Sequence, residues 1–104
     1  MNIIDKRIDN KIIEKLEEAG NLSIEILNRS IGAFSKKNLK EANKNIEAVK
    51  KLYEISEKIT NLTLKQEPYI SIAIGYIIES IRRIGEYSED ISESVINHLI
   101  GEDK

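Results

Sequence analysis

Carboxylates recur through one stretch of this chain at the spacing of a helix face: Glu79, Glu86, Glu89, Asp90 and Glu93, with Arg82, Arg83 and Gly85 set among them. Residues four apart share a face of an α-helix, and hard divalent cations favour carboxylate oxygen, so Glu86 and Asp90 form the candidate metal pair. The same residues also read as a solvated acidic face, with Glu79 and Arg83 as an i,i+4 ion pair of the kind that contributes ~0.2–0.5 kcal/mol. Two exposed carboxylates are weak ligands without further partners. The expectation is therefore no cofactor, with a divalent ion at Glu86 and Asp90 the disfavoured exception. His98 is the only histidine and could serve as a pH-sensitive contact or a lone base, yet no nucleophile or carboxylate is tied to it by a motif, which makes it a rim side chain. The chain has no phosphate-cradling Gly-x-x-x-x-Gly-Lys-Ser/Thr loop, no metal-ligand histidine pair and no Ser-His-acid pattern. No catalytic residue is assigned, and the chain is not read as an enzyme.

What must position these residues is a small set of helices. The 104 residues suffice for one domain with a single core, residues 1–104, too small for a deep two-lobed cleft. One third of the residues are charged, the formal net charge is −2, and acid and base alternate, which describes solvated helix faces. No basic face offers phosphate neutralisation, so nucleic acid is not an expected partner. Without cysteine, disulfides and thiolate zinc sites are excluded. The N-terminal residues lack an apolar leader core, and no run approaches the ~20 apolar residues needed to cross a bilayer, so a cytoplasmic protein without membrane insertion is expected.

Apolar positions recur at helical spacing and strict alternation is missing, which points to an all-α protein. The first stripe runs from about residue 3 to 34, through Ile12, Leu16, Ala19, Ser23, Ile26, Ser30 and Ala33, with Leu22, Leu27, Ile31 and Phe34 beside it. Gly20-Asn21 weakens helix propensity by ~1 kcal/mol at the glycine, so a bend or break there competes with one continuous helix. Asn38 is a natural N-cap, with Glu41 placed to complete a capping box; a second helix over about 38–63 buries Leu39, Ala42, Ile46, Val49, Leu52, Ile55, Ile59 and Leu62. Pro68 suits the first turn of a third helix, about 68–100, whose seam reads Ile70, Ile74, Ile77, Ile81, Ile84, Ser88, Ile91, Val95 and His98, with Gly101 as its stop. Tyr53, Tyr69, Tyr76 and Tyr87 are expected at core margins, rings buried and hydroxyls wet. Gly85, and Gly75 with it, would permit close backbone approach between helices. Short connections between long helices give an antiparallel up-down-up three-helix bundle. Ile13, Ile24, Ile72, Ile78, Ile96 and Ile100 lie beside the seams, and self-association would bury that surplus width.

The segment Arg83-Ile84-Gly85, followed by acidic Glu86, Asp90, Ile91 and Glu93, resembles the hallmark helix of the PhoU family, which reads roughly Leu-Glu-Arg-Ile-Gly-Asp-x-Ala-x-Asn/Asp-Ile-Ala-Glu. Ala33-Phe34, Asn38-Leu39, Ala42 and Pro68 extend the resemblance over about residues 33–97. Members commonly hold two such three-helix repeats, regulate phosphate uptake by coupling a transporter to its signalling partner, and can bind metal clusters through Glu/Asp-x-x-x-Asp pairs. The resemblance implies a homodimer that rebuilds the double repeat. It also implies that the metal pairs fall at Leu52 and Ser56 on the second helix and at Arg82 and Glu86 on the third, leaving one carboxylate of four.

The function implied is a non-enzymatic PhoU-like accessory protein of phosphate uptake, acting through helix-face contacts with a phosphate-transporter ATPase subunit or a regulatory kinase. A helical dimeric scaffold unrelated to phosphate is the alternative, and a carboxylate metal-dependent hydrolase a more distant one.

Overall fold

The computed structural model describes residues 8–102, and it is the bundle that the periodicity implies: α1 (Asn10–Lys36), α2 (Leu39–Thr63) and α3 (Pro68–Glu102), with no strand among the described residues. α1 starts where Asp9 caps it, its carboxylate accepting from the Lys11 amide at 2.8 Å. Of the helix expected from about residue 3, residues 3–7 lie outside the described residues, and residues 8 and 9 are not helical, because the Asp9 cap holds an extended backbone before α1. α1 runs unbroken through Gly20-Asn21, because burial of Ile12, Ala19, Ser23, Ile26, Ser30 and Ala33 on one stripe outweighs a ~1 kcal/mol propensity loss at one residue.

The α1–α2 turn is closed by Lys37 in the left-handed region (φ 51°), with the Asn38 amide donating to the Ala33 carbonyl at 3.0 Å. Asn38 then caps α2, its side chain accepting from the Glu41 amide at 3.0 Å. The second half of the expected capping box does not form: the Asn38 amide is already spent on Ala33, and the Glu41 carboxylate instead sits 3.9 Å from Arg29 on α1. At the other end, Ser71 Oγ donates to the Thr63 and Gln66 carbonyls, tying the close of α2 to the first turn of α3. α3 continues through Gly101 to Glu102, so that glycine does not stop the helix.

The buried stripe of α1 is the expected one, whereas those of α2 and α3 are rotated from it. On α2 the seam is Ala42, Asn45, Val49, Leu52, Ser56, Ile59 and Thr63, with Ile55 buried beside it; Leu39 is exposed and Ile46 and Leu62 are half-buried. On α3 it is Ile70, Ile74, Ile78, Ile81, Gly85, Ser88, Ser92 and Val95. Ile77 and His98 are exposed, and Ile84 and Ile91 half-buried, while Ile78, expected outside, is in the core. Apolar side chains lie on both sides of the true seam, so a line drawn through the largest of them is displaced toward one flank. Three of the four tyrosines, Tyr69, Tyr76 and Tyr87, are also well exposed; Tyr53 alone is half-buried.

The core separates into an isoleucine-rich half and a thin half. Ile12, Ile26, Val49, Leu52, Ile59, Ile70, Ile74 and Ile81 pack together toward the α2–α3 turn, while the other half holds Ala33, Ala42 and Val95. Between them lie Ser30, Asn45, Ser88 and Ser92, with Ser23 inside the isoleucine-rich half, all but solvent-free. Their polar groups are met internally: Ser23, Ser30 and Ser88 donate to carbonyls three or four residues back at 2.7 Å, and the Asn45 amide donates to the Ile26 carbonyl at 3.0 Å and to Ser92 Oγ at 3.1 Å. The Asn45 carbonyl oxygen has no protein partner.

Candidate functional site

Gly85 sets the spacing of α2 and α3. A Cβ at this position would fall 3.0 Å from Leu52 Cδ2 and 3.2 Å from Tyr53 Cε1, so the helices meet where the third helix has no side chain. Gly75 does not share that role, since a Cβ there would meet nothing within 4 Å. It lines two hollows beside α2 instead.

One turn before Gly85, the Arg82 guanidinium lies over the Tyr53 ring, 5.9 Å from its centre. Beside this pair lie two hollows between α2 and α3 that share Thr60 and Arg82 in their walls: one of about 520 Å³ lined by Thr60, Gly75, Ile78, Glu79, Arg82, Arg83 and Glu86, the other of about 260 Å³ lined by Tyr53, Glu57, Thr60 and Arg82. Arg83 pairs with Glu79 at 3.0 Å, the surface ion pair that the spacing anticipates. Burial holds the Tyr53 phenol above its ordinary titration range, with the carboxylates of Glu89, Glu86 and Asp90 pushing the same way and Arg82 opposing them.

This geometry corrects the register on α2. Leu52 and Ser56, assigned by the resemblance as the partners of Arg82 and Glu86, are core residues: Leu52 is fully buried, and Ser56 donates its hydroxyl to the Leu52 carbonyl at 2.9 Å. The positions that look across at Arg82 are one residue further on, Tyr53 and Glu57. Substitution of carboxylates at 52 and 56 would bury charge, not build a site. The signal for Tyr53 was present in the sequence, one step off the Val49–Leu52–Ile59 stripe, but the facing register between two helices is not written in either one alone.

Glu86 and Asp90 stand exposed on α3. Among the described residues no three histidine, aspartate or glutamate side chains gather closely enough to hold an ion between them. The donor set does not fit the carboxylate cluster that the family resemblance brings with it: a permanent cation, Arg82, occupies the centre of the face, and the opposite helix offers a phenol and one carboxylate. His98 lies apart, exposed near the end of α3 beside Phe34. What the arrangement presents chemically is an arginine over a tyrosine ring, with carboxylates near the pair.

Among the described residues no helix is long and apolar enough to cross a membrane. No curated protein and no solved structure matches the chain. A family model, that of the PhoU domain, matches residues 16–95, which covers all but the first turns of α1 and the last turns of α3 and includes Gly85, Arg82 and Tyr53. With most of its length matched, and with Gly85 of the resembling segment set against Leu52 and Tyr53 of α2, the chain belongs to the PhoU family.

Proposed function

We propose that this chain is a non-enzymatic accessory regulator of phosphate uptake, cytoplasmic, that works by protein–protein contact through the α2–α3 face. The observation that carries the reading is Arg82 stacked over Tyr53. In a family of phosphate-transport regulators, the face that resembles a carboxylate metal site holds in this chain two of the residue types enriched at interaction hot spots. Around them, Glu57 and Glu86 give the surface mixed charge, which favours orientation of a protein partner over capture of an ion. A phosphate-transporter ATPase subunit or a regulatory kinase is the partner class.

The test is phosphate uptake in cells that lack the protein, complemented with wild type or with Arg82→Glu, alongside binding of each purified protein to the ATPase subunit. The expected result is that deletion changes uptake, wild type restores it, and Arg82→Glu folds but fails both in uptake and in binding. Uptake that is unchanged on deletion would overturn the reading in favour of a helical scaffold unrelated to phosphate. Hydrolysis strictly dependent on added divalent metal, lost in Glu86→Gln, would overturn it in favour of a carboxylate hydrolase.

A further inference from the structure

Four lysines converge at one end of the bundle. Lys11 and Lys15 on α1, Lys58 on α2 and Lys65 in the α2–α3 turn line a single cleft of about 530 Å³, with Asp9 and Gln66 in the same wall. No helix shows a basic face by itself, because the lysines come from three separate segments and meet only where α1 packs on α2. Among the described residues, none of the four ammonium groups stands within ion-pair distance of a carboxylate. Asp9 is engaged as the cap of α1, its carboxylate accepting from the Lys11 amide. Lys11 and Lys15 stand four apart on one helix face, where like charges repel. Lys11 also lies in the first turn of α1, at the positive end of the helix dipole, and no acid occupies that turn. Each of these placements costs the folded chain, and a bound anion of several charges offsets them together.

We infer that this α1–α2 cleft binds a short chain of phosphates, the group shared by pyrophosphate, tripolyphosphate and the nucleoside triphosphates. Lysine meets phosphate as a point charge on a flexible stem, and four such charges set around a cleft suit an elongated anion whose charge repeats along it. Among the described residues no aromatic side chain lines the cleft, so a nucleobase finds no stacking platform and recognition stops at the phosphates. Gln66 holds a buried Oε1 that no described donor meets, an acceptor for a phosphate hydroxyl or a water carried in with the anion. An extended polyanion is disfavoured, since the lysines occupy one end of a chain whose net charge is −2.

The inference does not rest on the regulatory reading, and phosphate uptake does not enter its test. Titration calorimetry of the full chain at low ionic strength, with tripolyphosphate, ATP and inorganic phosphate as separate ligands, reads the site. Tripolyphosphate should bind and raise the melting temperature, ATP should bind no more tightly, and inorganic phosphate should bind about tenfold more weakly or less. Lys15→Gln and Lys58→Gln should each weaken tripolyphosphate binding about tenfold. Without ligand, Lys15→Gln should melt at or above wild type, because it relieves the repulsion with Lys11, and that split separates a ligand site from a structural role. Lys44→Gln, at an exposed site fourteen residues before Lys58 on α2, should leave binding unchanged. No binding of tripolyphosphate to wild type, or a loss in Lys44→Gln equal to that in Lys15→Gln, overturns the inference. Retention on anionic-lipid vesicles where tripolyphosphate fails to bind overturns it in favour of a membrane surface.

Discussion

Arg82 lies with its guanidinium 5.9 Å from the centre of the Tyr53 ring, and its effect on the phenol opposes that of three carboxylates, Glu89, Glu86 and Asp90. The neutral phenol is favoured by folding, chiefly through burial and then through Glu89, Glu86 and Asp90. The native state therefore keeps a proton that the unfolded chain has already released. Stability from this group is complete below the ordinary tyrosine range near 10.0 and is lost as pH rises from there through the folded value. Alkaline denaturation of Tyr53→Phe should lack that component. Arg82→Gln should move the Tyr53 titration still higher, read as phenolate absorbance against the Tyr53→Phe background, and should cost ~0.5–1 kcal/mol at neutral pH through the lost cation–π contact. A Tyr53 titration that moves down in Arg82→Gln would contradict the geometry.

Gly85→Leu is expected to be the more damaging of two substitutions at the helix contact. A Cβ would stand 3.0 Å from Cδ2 of Leu52, a fully buried side chain that would have to give by a few tenths of an ångström. Gly85→Ala trades a gain of ~1 kcal/mol in helix propensity against crowding of ~1–3 kcal/mol, so its melt should fall at or below wild type, with Gly85→Leu clearly lower. Gly75→Ala, where a Cβ meets nothing within 4 Å, should rise by up to ~1 kcal/mol. The opposite order in thermal melts would remove Gly85 from the contact.

Asn45→Ala should destabilise the bundle by ~1–3 kcal/mol in urea unfolding, because it removes the donor shared by the Ile26 carbonyl and Ser92 Oγ and leaves a space in the middle layer. Asn43→Ala, on the exposed side of the same helix, should change stability by no more than ~0.5 kcal/mol. Equal losses in the two variants would show that the buried layer is not held by Asn45.

Purified protein is expected to carry no stoichiometric iron, zinc or manganese, since Arg82 stands at the centre of the face and no three potential ligands converge among the described residues. Elemental analysis measures this directly. Metal at one equivalent, released by Glu86→Gln with Asp90→Asn, would establish the shifted carboxylate pair as a site.

The helical periodicity of the chain by itself determined that there are three helices and how they connect, and it placed the starts of the second and third, because caps and breakers act within a few residues: Asn38 and Pro68 do locally what the bundle needs, whereas the Asp9 cap that opens α1 was not read from the sequence. It determined the buried stripe of α1, whose apolar and small residues leave one consistent seam, and it marked Gly85 as a close approach. Rotation of α2 and α3 about their own axes was decided only by the tertiary structure. Both helices carry large apolar residues on two adjacent stripes, and which stripe turns inward depends on what the neighbouring helices present. Opposite the small residues Ser23, Ser30, Ala33 and Ala42, space exists for Asn45, Ser88 and Ser92 and not for Ile84 or Ile91. The same packing carries Ser56 into the core beside Leu52, which the periodicity already buried, and brings Tyr53 under Arg82, so the candidate site is a product of packing between helices, and no spacing within one helix could specify it.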